Sequence, residues 1–253
     1  MTIKTLGLLT LLCTTSLAYA EPLQYPSHFF LGINTGDSLS LQSTDLRPDY
    51  VNRGASFFII PNNTTFQRDI GSSAIIGGFV GYQVDSNVGF SLNYDYRGNY
   101  KWEILSSLPN FGVQNEIYHT EHISIQTLLA NIILTPDVNW GGFKPYVNAG
   151  IGLAVNSLGT IQNVEILNNP SFNIYVPGKR TTNFSWDAGV GADYAFTPMF
   201  HLNFGYRFVG AGKLKSSNTF INTVSNFNST ITPFKANNIF LNEFVAGLSV
   251  HFV

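Results

Sequence analysis

Charge is scarce in this chain: Asp, Glu, Lys and Arg make up 11% of its 253 residues, against about 25% in an ordinary soluble domain. Cysteine is scarcer still, with Cys13 the single example. That excludes a disulfide framework and any site built from several thiolates. Long apolar runs are missing too, since none approaches the roughly 18 residues of a helical membrane span. The 13 basic and 15 acidic residues leave a net charge of −2, which gives nucleic acid no electrostatic footing as a partner. What abounds is glycine, at 23 residues, and aromatic side chains, at 14%.

The first twenty residues read as a targeting segment rather than as fold. Lys4 supplies a positive start, Leu6 to Leu12 a short apolar run, and Ala18-Tyr19-Ala20 the small residues a signal peptidase reads. Cleavage is expected after Ala20, with Ala18 and Ala20 as the signal-peptidase site. A lipoprotein processed at Cys13 is disfavoured by the bulk of Leu12. Residues 1–20 are therefore expected to be removed, and 21–253 to form one exported domain.

Within that domain the dominant signal has period two. Val88 to Gly98, VGFSLNYDYRG, places Val88, Phe90, Leu92, Tyr94 and Tyr96 on one face. Gly89, Ser91, Asn93, Asp95 and Arg97 fall on the other. Such alternation predicts a β-strand with two unlike faces. It recurs around Phe29–Gly36, Ser73–Val84, Val147–Asn156, Phe184–Phe196, Phe200–Phe208 and Phe240–Phe252. An eighth strand, His119–Leu134, changes phase: Ile123 and Ile125 fall on one parity, Leu128 to Leu134 on the other. Either a bulge or emergence above a membrane accounts for that.

The connections alternate in length. Asp85-Ser86-Asn87 and Thr197-Pro198 are tight, and Thr135–Phe143 is moderate, whereas 38–72, 101–118, 158–181 and 212–237 are long. Short turns at one end and long loops at the other predict a transmembrane barrel. The faces agree. The polar face is rich in Gly, Ala, Asn and Ser, which suit a narrow lumen better than an open solvated sheet. Lipid exposure of Arg97 or Arg207 at mid-bilayer would cost about 2–4 kcal/mol, and the alternation puts both inside. The expected lumen network is Asp95, Arg97, Asp187, Asp193, Arg207 and Glu243. Folding at Thr197-Pro198 predicts an Asp187–Arg207 ion pair.

GYRFVGAG (Gly205–Gly212), FSWDAGVGADYAF (Phe184–Phe196) and KPYVNAGIGLA (Lys144–Ala154) resemble the OmpA-like, opacity-type outer-membrane β-barrels, a porin-family class of surface antigens in Gram-negative bacteria. The resemblance implies an all-β, eight-stranded antiparallel up-and-down barrel with short periplasmic turns and four long extracellular loops. It also implies an integral outer-membrane location. Gly247, Leu248, Val250 and Phe252 resemble the barrel-assembly signal of such proteins, with Phe252 penultimate where the last residue is ordinarily aromatic. The expected partners are outer-membrane lipid and lipopolysaccharide, the barrel-assembly machinery and periplasmic chaperones, and host surface molecules met through the loops. The chain is expected to be a monomer without cofactor or metal.

Catalysis has one foothold. His122-Ile123-Ser124, near Glu116 and Glu121, resembles the His-x-Ser arrangement of lipid A deacylases, but Ile125 stands where an Asn usually follows. We read it as a polar strand end and the protein as no enzyme. A His119–Glu121–His122 metal site is split across two faces by alternation. The leading expectation is a structural or surface-interaction role carried by the loops, with a lumen largely filled by polar side chains. A narrow channel for small solutes is the alternative, and a lipid A-modifying enzyme a further one.

Overall fold

The structure, a computed structural model, describes residues 28–41, 46–48, 65–66, 69–108, 113–138, 140–165, 174–223 and 226–252. Eight long strands carry the fold: β1 (His28–Ser40), β2 (Ser72–Gln83), β3 (Val88–Leu108), β4 (Val113–Leu134), β5 (Phe143–Leu158), β6 (Lys179–Ala195), β7 (Phe200–Lys215) and β8 (Phe234–Phe252). Each pairs antiparallel with its neighbours in sequence, and β1 pairs with β8 from Phe29↔Phe252 to Ser40↔Leu241, closing the barrel. No helix occurs among the described residues.

Register fixes the shape. Stepping between partners leads from Phe29 through Tyr82, Phe90, Ile132, Ala149, Ala188, Phe208 and Asn242 to Leu39, ten residues up the strand where the path began. That stagger tilts the strands and leaves an interior only wide enough for side chains. At this bore the glycines of the inner face are needed for close approach. The space a Cβ would take at Gly77 is held by Asn34 Oδ1 and Asp95 Oδ1; at Gly150, by Asn131 Oδ1 and Asp187 Oδ1.

The outward positions meet lipid. Phe29, Ile33, Ile76, Ile151 and Phe184 are each at least 60% exposed, which only an apolar solvent makes favourable. Aromatic pairs mark both edges of that band. Phe29 packs on Tyr82 and Phe143 on Tyr194, both at 4.8 Å between ring centres, near the short turns. Trp186 packs on Phe208 at 5.7 Å and Phe240 at 6.5 Å near the other end.

The short turns are locked locally. Asp85 Oδ1 accepts from the amides of Asn87 and Val88 at 2.8 and 2.9 Å. Thr197 Oγ1 accepts from Phe200 N at 3.0 Å. Asn87 Nδ2 donates to Thr135 O and Asp137 Oδ1, tying two turns together.

Two expectations need correction. The segment 101–118 is not a long loop: β3 runs to Leu108 and β4 resumes at Val113, pairing through Ser106↔Glu116. Short strands Ile161–Glu165, Ile174–Val176, Thr219–Asn222 and Phe227–Thr230 carry the sheet further outward beside β4. The phase change read within β4 is also misplaced. Ile123, Ile125, Thr127, Leu129 and Asn131 are all buried on one face, so this part of the strand keeps its phase. The irregularities fall higher, at Gly98–Asn99 of β3 and around Glu121–His122 of β4, where register shifts follow Arg97 and Tyr100. Asn99 has φ +67°, the left-handed conformation that Asn tolerates better than most residues. Phe57-Phe58-Ile59-Ile60, an apolar run within 38–72, lies outside the described residues, as do Ala18 and Ala20.

Candidate functional site

Inward residues stack in three layers. The middle layer holds the charges. Arg97 Nη2 lies 2.9 Å from Glu243 Oε2, and Arg97 Nε also contacts Glu243 Oε1. Arg207 Nε donates to Glu243 Oε2 at 2.6 Å. Arg207 Nη2 lies 2.8 Å from Asp95 Oδ2, an ionic contact without hydrogen-bond alignment. Ser38 Oγ donates to Glu243 Oε1 at 2.9 Å and receives the Tyr100 hydroxyl at 2.6 Å. Asp95, Arg97 and Glu243 are fully buried. One carboxylate thus holds two guanidinium groups, and Asp95 balances the second positive charge.

Asp187 is buried on the same face, but the expected Asp187–Arg207 pair does not form. Glu243 stands directly across from Arg207 in register, whereas Asp187 stands opposite Val209. Arg207 is engaged by Glu243 and Asp95, and Asp187 Oδ2 takes only a long 3.5 Å contact from Asn148 Nδ2. Asp193 is not in this cluster. It sits at the short-turn end, with its Oδ2 2.6 Å from His201 Nδ1.

The outer layer departs from the expected polar filling. Tyr100, Trp102, Ile123, Ile125, Ala154, Val209, Leu214, Phe234, Ile239 and Leu241 are buried together with Leu46 and Ile70. Trp102 meets Phe234 edge-on at 5.7 Å. The apolar inward residues of β3, β4, β7 and β8 form a plug above the charges. This is why Ile123 and Ile125 read as out of phase: they are apolar and face inward.

The layer nearest the short turns was missed from sequence. His28 Nε2 lies 2.8 Å from His251 Nδ1, and the rings of His251 and His201 stack at 3.8 Å. Above them a cavity of about 150 Å³ is lined by Phe30, Phe79, Tyr146, Asn93 and Asn203, and it reaches Ser86 and Thr135 in the turns. The signal was present, since His201 and His251 both stand on small-residue faces near strand ends. Closure of β1 on β8 is what brings in His28.

His122 is exposed and Ser124 half-buried on the outward face of β4. The side chains of Glu116 and Glu121 lie outside the described residues. Among the described residues no cluster of three or more His, Cys, Asp or Glu is placed to hold a metal. In β8, Leu248 and Phe252 face lipid and Gly247 faces inward opposite Asn34, beside the β1–β8 seam.

An apolar exterior, a closed eight-strand circuit and a packed charged lumen define an integral outer-membrane β-barrel. The chain belongs to the outer membrane protein beta-barrel domain family, whose model matches residues 7–252. It is 35% identical over 83 residues to outer membrane protein PagN of Salmonella typhimurium (strain LT2), a stretch covering 31% of each protein. The match thus spans less than a third of that relative's length. In fold it resembles Neisserial surface protein A, at 16% identity and a TM-score of 0.50, covering 90% of this chain and 100% of that one. Ail of Yersinia pestis, solved with the heparin analogue sucrose octasulfate, is 9% identical with a TM-score of 0.39, covering 89% and 99% of the two chains.

Proposed function

We propose that this barrel is a closed, rigid platform in the outer membrane that presents its outer extension for surface interaction. The observation that supports this reading is the filled lumen combined with strands that continue outward. β3 and β4 have 21 and 22 residues, about twice the 9–11 that a tilted span requires. Binding residues concentrate on loops held by a rigid scaffold, and the outward sheet supplies that scaffold. Lipopolysaccharide is the lipid its outer half would meet, and host surface molecules are the partners its loops would reach. Assembly machinery and chaperones would be met on the periplasmic side, with Gly247, Leu248, Val250 and Phe252 as the recognised strand and residues 1–20 already removed. We read the folded barrel as a monomer without enzymatic activity.

The channel reading has one observation in its favour, the cavity that reaches the short-turn end. That cavity stops beneath the Arg97–Glu243–Arg207 cluster and the apolar plug, so small-solute passage is the weaker reading. Deleting each long loop in turn, with host-cell binding, membrane integrity and solute uptake scored in parallel, tests both. Loss of cell binding with intact uptake is expected. Unchanged binding in every deletion, together with reduced uptake, would reverse the order of the two readings.

A further inference from the structure

We propose that the cavity at the short-turn end of the lumen is a blind pocket, open to the periplasm, for a neutral polyhydroxyl compound the size of a monosaccharide. Its volume, about 150 Å³, has room for on the order of ten waters, so the lumen is not packed at this level as it is above. The mouth lies among Gln83, Ser86 and Thr135 at the turns. The roof is the Arg97–Glu243–Arg207 layer, with the apolar plug beyond it. A molecule that enters here leaves the way it came.

The chemistry of the wall selects the ligand class. Five strands each contribute one asparagine: Asn34 from β1, Asn93 from β3, Asn131 from β4, Asn148 from β5 and Asn203 from β7. A primary amide donates and accepts without carrying charge. Asn148 Nδ2 donates to Asn131 Oδ1 at 3.1 Å. Asn131 Nδ2 is buried with no hydrogen-bond partner among the described residues, and so is Asn93 Oδ1. The two side chains are diagonal neighbours, with Asn93 opposite Leu129 and Asn131 opposite Ser91. A buried donor and a buried acceptor side by side cost free energy until something in the cavity bonds them. Adjacent hydroxyl groups, each able to donate and accept, match both.

Rings supply the apolar part of the wall. Phe30 meets Phe79 edge-on at 6.1 Å, and Tyr146 leans across Gly191 and Gly205, whose missing side chains leave it the space. Rings beside a few placed polar groups suit a compound with C–H faces and O–H edges. Charge gives no competing selection, because the charged wall residues answer one another. Arg207 faces Glu243 and Asp95, and Lys144 and Asp193 are register partners at the mouth. Asp187 stands behind Asn148 and opposes an anion.

The test titrates D-glucose into the refolded, isotope-labelled full chain in a detergent without sugar headgroups, following side-chain amide resonances by NMR. Saturable shifts are expected at Asn93 and Asn131 and not in the outer extension. Asn93→Ala and Asn131→Ala each remove one hydrogen bond and leave the room, so each should weaken binding about fivefold, read at the amide that remains. Lys213→Gln should leave binding unchanged, since Lys213 is exposed at the opposite end, where register shifts flank Gly212 with its φ of +78°. Gluconate and glucosamine, similar in size but charged, should bind more weakly than glucose, and hexanol should shift neither amide. No saturable shift by about 100 mM glucose, equal shifts with hexanol, or tighter binding of either charged analogue overturns the proposal. So does magnetisation transfer from water to both amides that glucose leaves unaltered, because water alone then satisfies them. Heat-modifiable gel migration reports folding. Where a variant does not fold, the wild-type ranking of the four compounds decides.

Discussion

Arg97 of β3 and Glu243 of β8 form a two-pronged ion pair across the lumen, with both side chains fully buried. Arg207 of β7 shares the same carboxylate. Removing one partner of a buried pair leaves charge unbalanced in a poorly solvating interior, which costs about 3–5 kcal/mol. Glu243→Gln keeps the volume but removes the charge that both guanidinium groups share. Its unfolding free energy in lipid vesicles, from urea titration, should fall by about that amount. A loss below about 1 kcal/mol would show that the cluster does not lock the barrel.

Asp187 should behave in the opposite way. It is as deeply placed as Glu243 yet holds no cation, and its Oδ1 lacks a hydrogen-bond partner among the described residues. A buried carboxylate without a partner gains little from its charge. Asp187→Asn should therefore change stability by less than about 1 kcal/mol, or raise it. A loss matching that of Glu243→Gln would mean that Asp187 does pair with Arg207 in the membrane.

The contrast between these two carboxylates locates what the sequence made legible. Alternation assigns both to the inner face, together with Asp95, Arg97 and Arg207, and all five are buried, because period two is a local property. Choice of partner is not local. The tight turn at Thr197-Pro198 made Asp187 look like the neighbour of Arg207, whereas Glu243 reaches it across β7–β8, whose connecting loop says nothing about register. The phase breaks were hidden for a related reason. Asn99 and Gly212 are unremarkable in sequence, and only pairing shows that Lys101 and Lys213 turn outward beyond them. Apolar residues such as Ile125 read as out of phase with Leu128–Leu134 because the outer lumen is itself apolar.

Asn99 gives that point a direct test. A β-branched residue in its left-handed conformation is strained by about 1–2 kcal/mol, whereas Gly is not. Asn99→Val should lower the urea midpoint accordingly, and Asn99→Gly should leave it within experimental spread. Equal effects of the two substitutions would mean that the bulge at Gly98–Asn99 does not depend on the residue's backbone preference.

The apolar plug bears on conduction. Trp102 and Phe234 meet edge-on above the charge cluster, and Trp102, Phe234, Ile123 and Ile125 are at most 1% exposed. A passage so filled offers no continuous water path, and an ion crossing it would lose its hydration without replacement ligands. The refolded protein in a planar bilayer should therefore show no steady conductance. Trp102→Ala should cost about 3–5 kcal/mol of stability yet stay non-conducting, because the Arg97–Glu243–Arg207 layer still closes the bore beneath. Opening both barriers, with Trp102→Ala and Phe234→Ala added to Arg97→Ser and Glu243→Ser, should be needed before discrete current steps appear. Steady ohmic steps in the wild type would instead establish a conducting path that the packed lumen argues against, and would move the channel reading ahead of the platform.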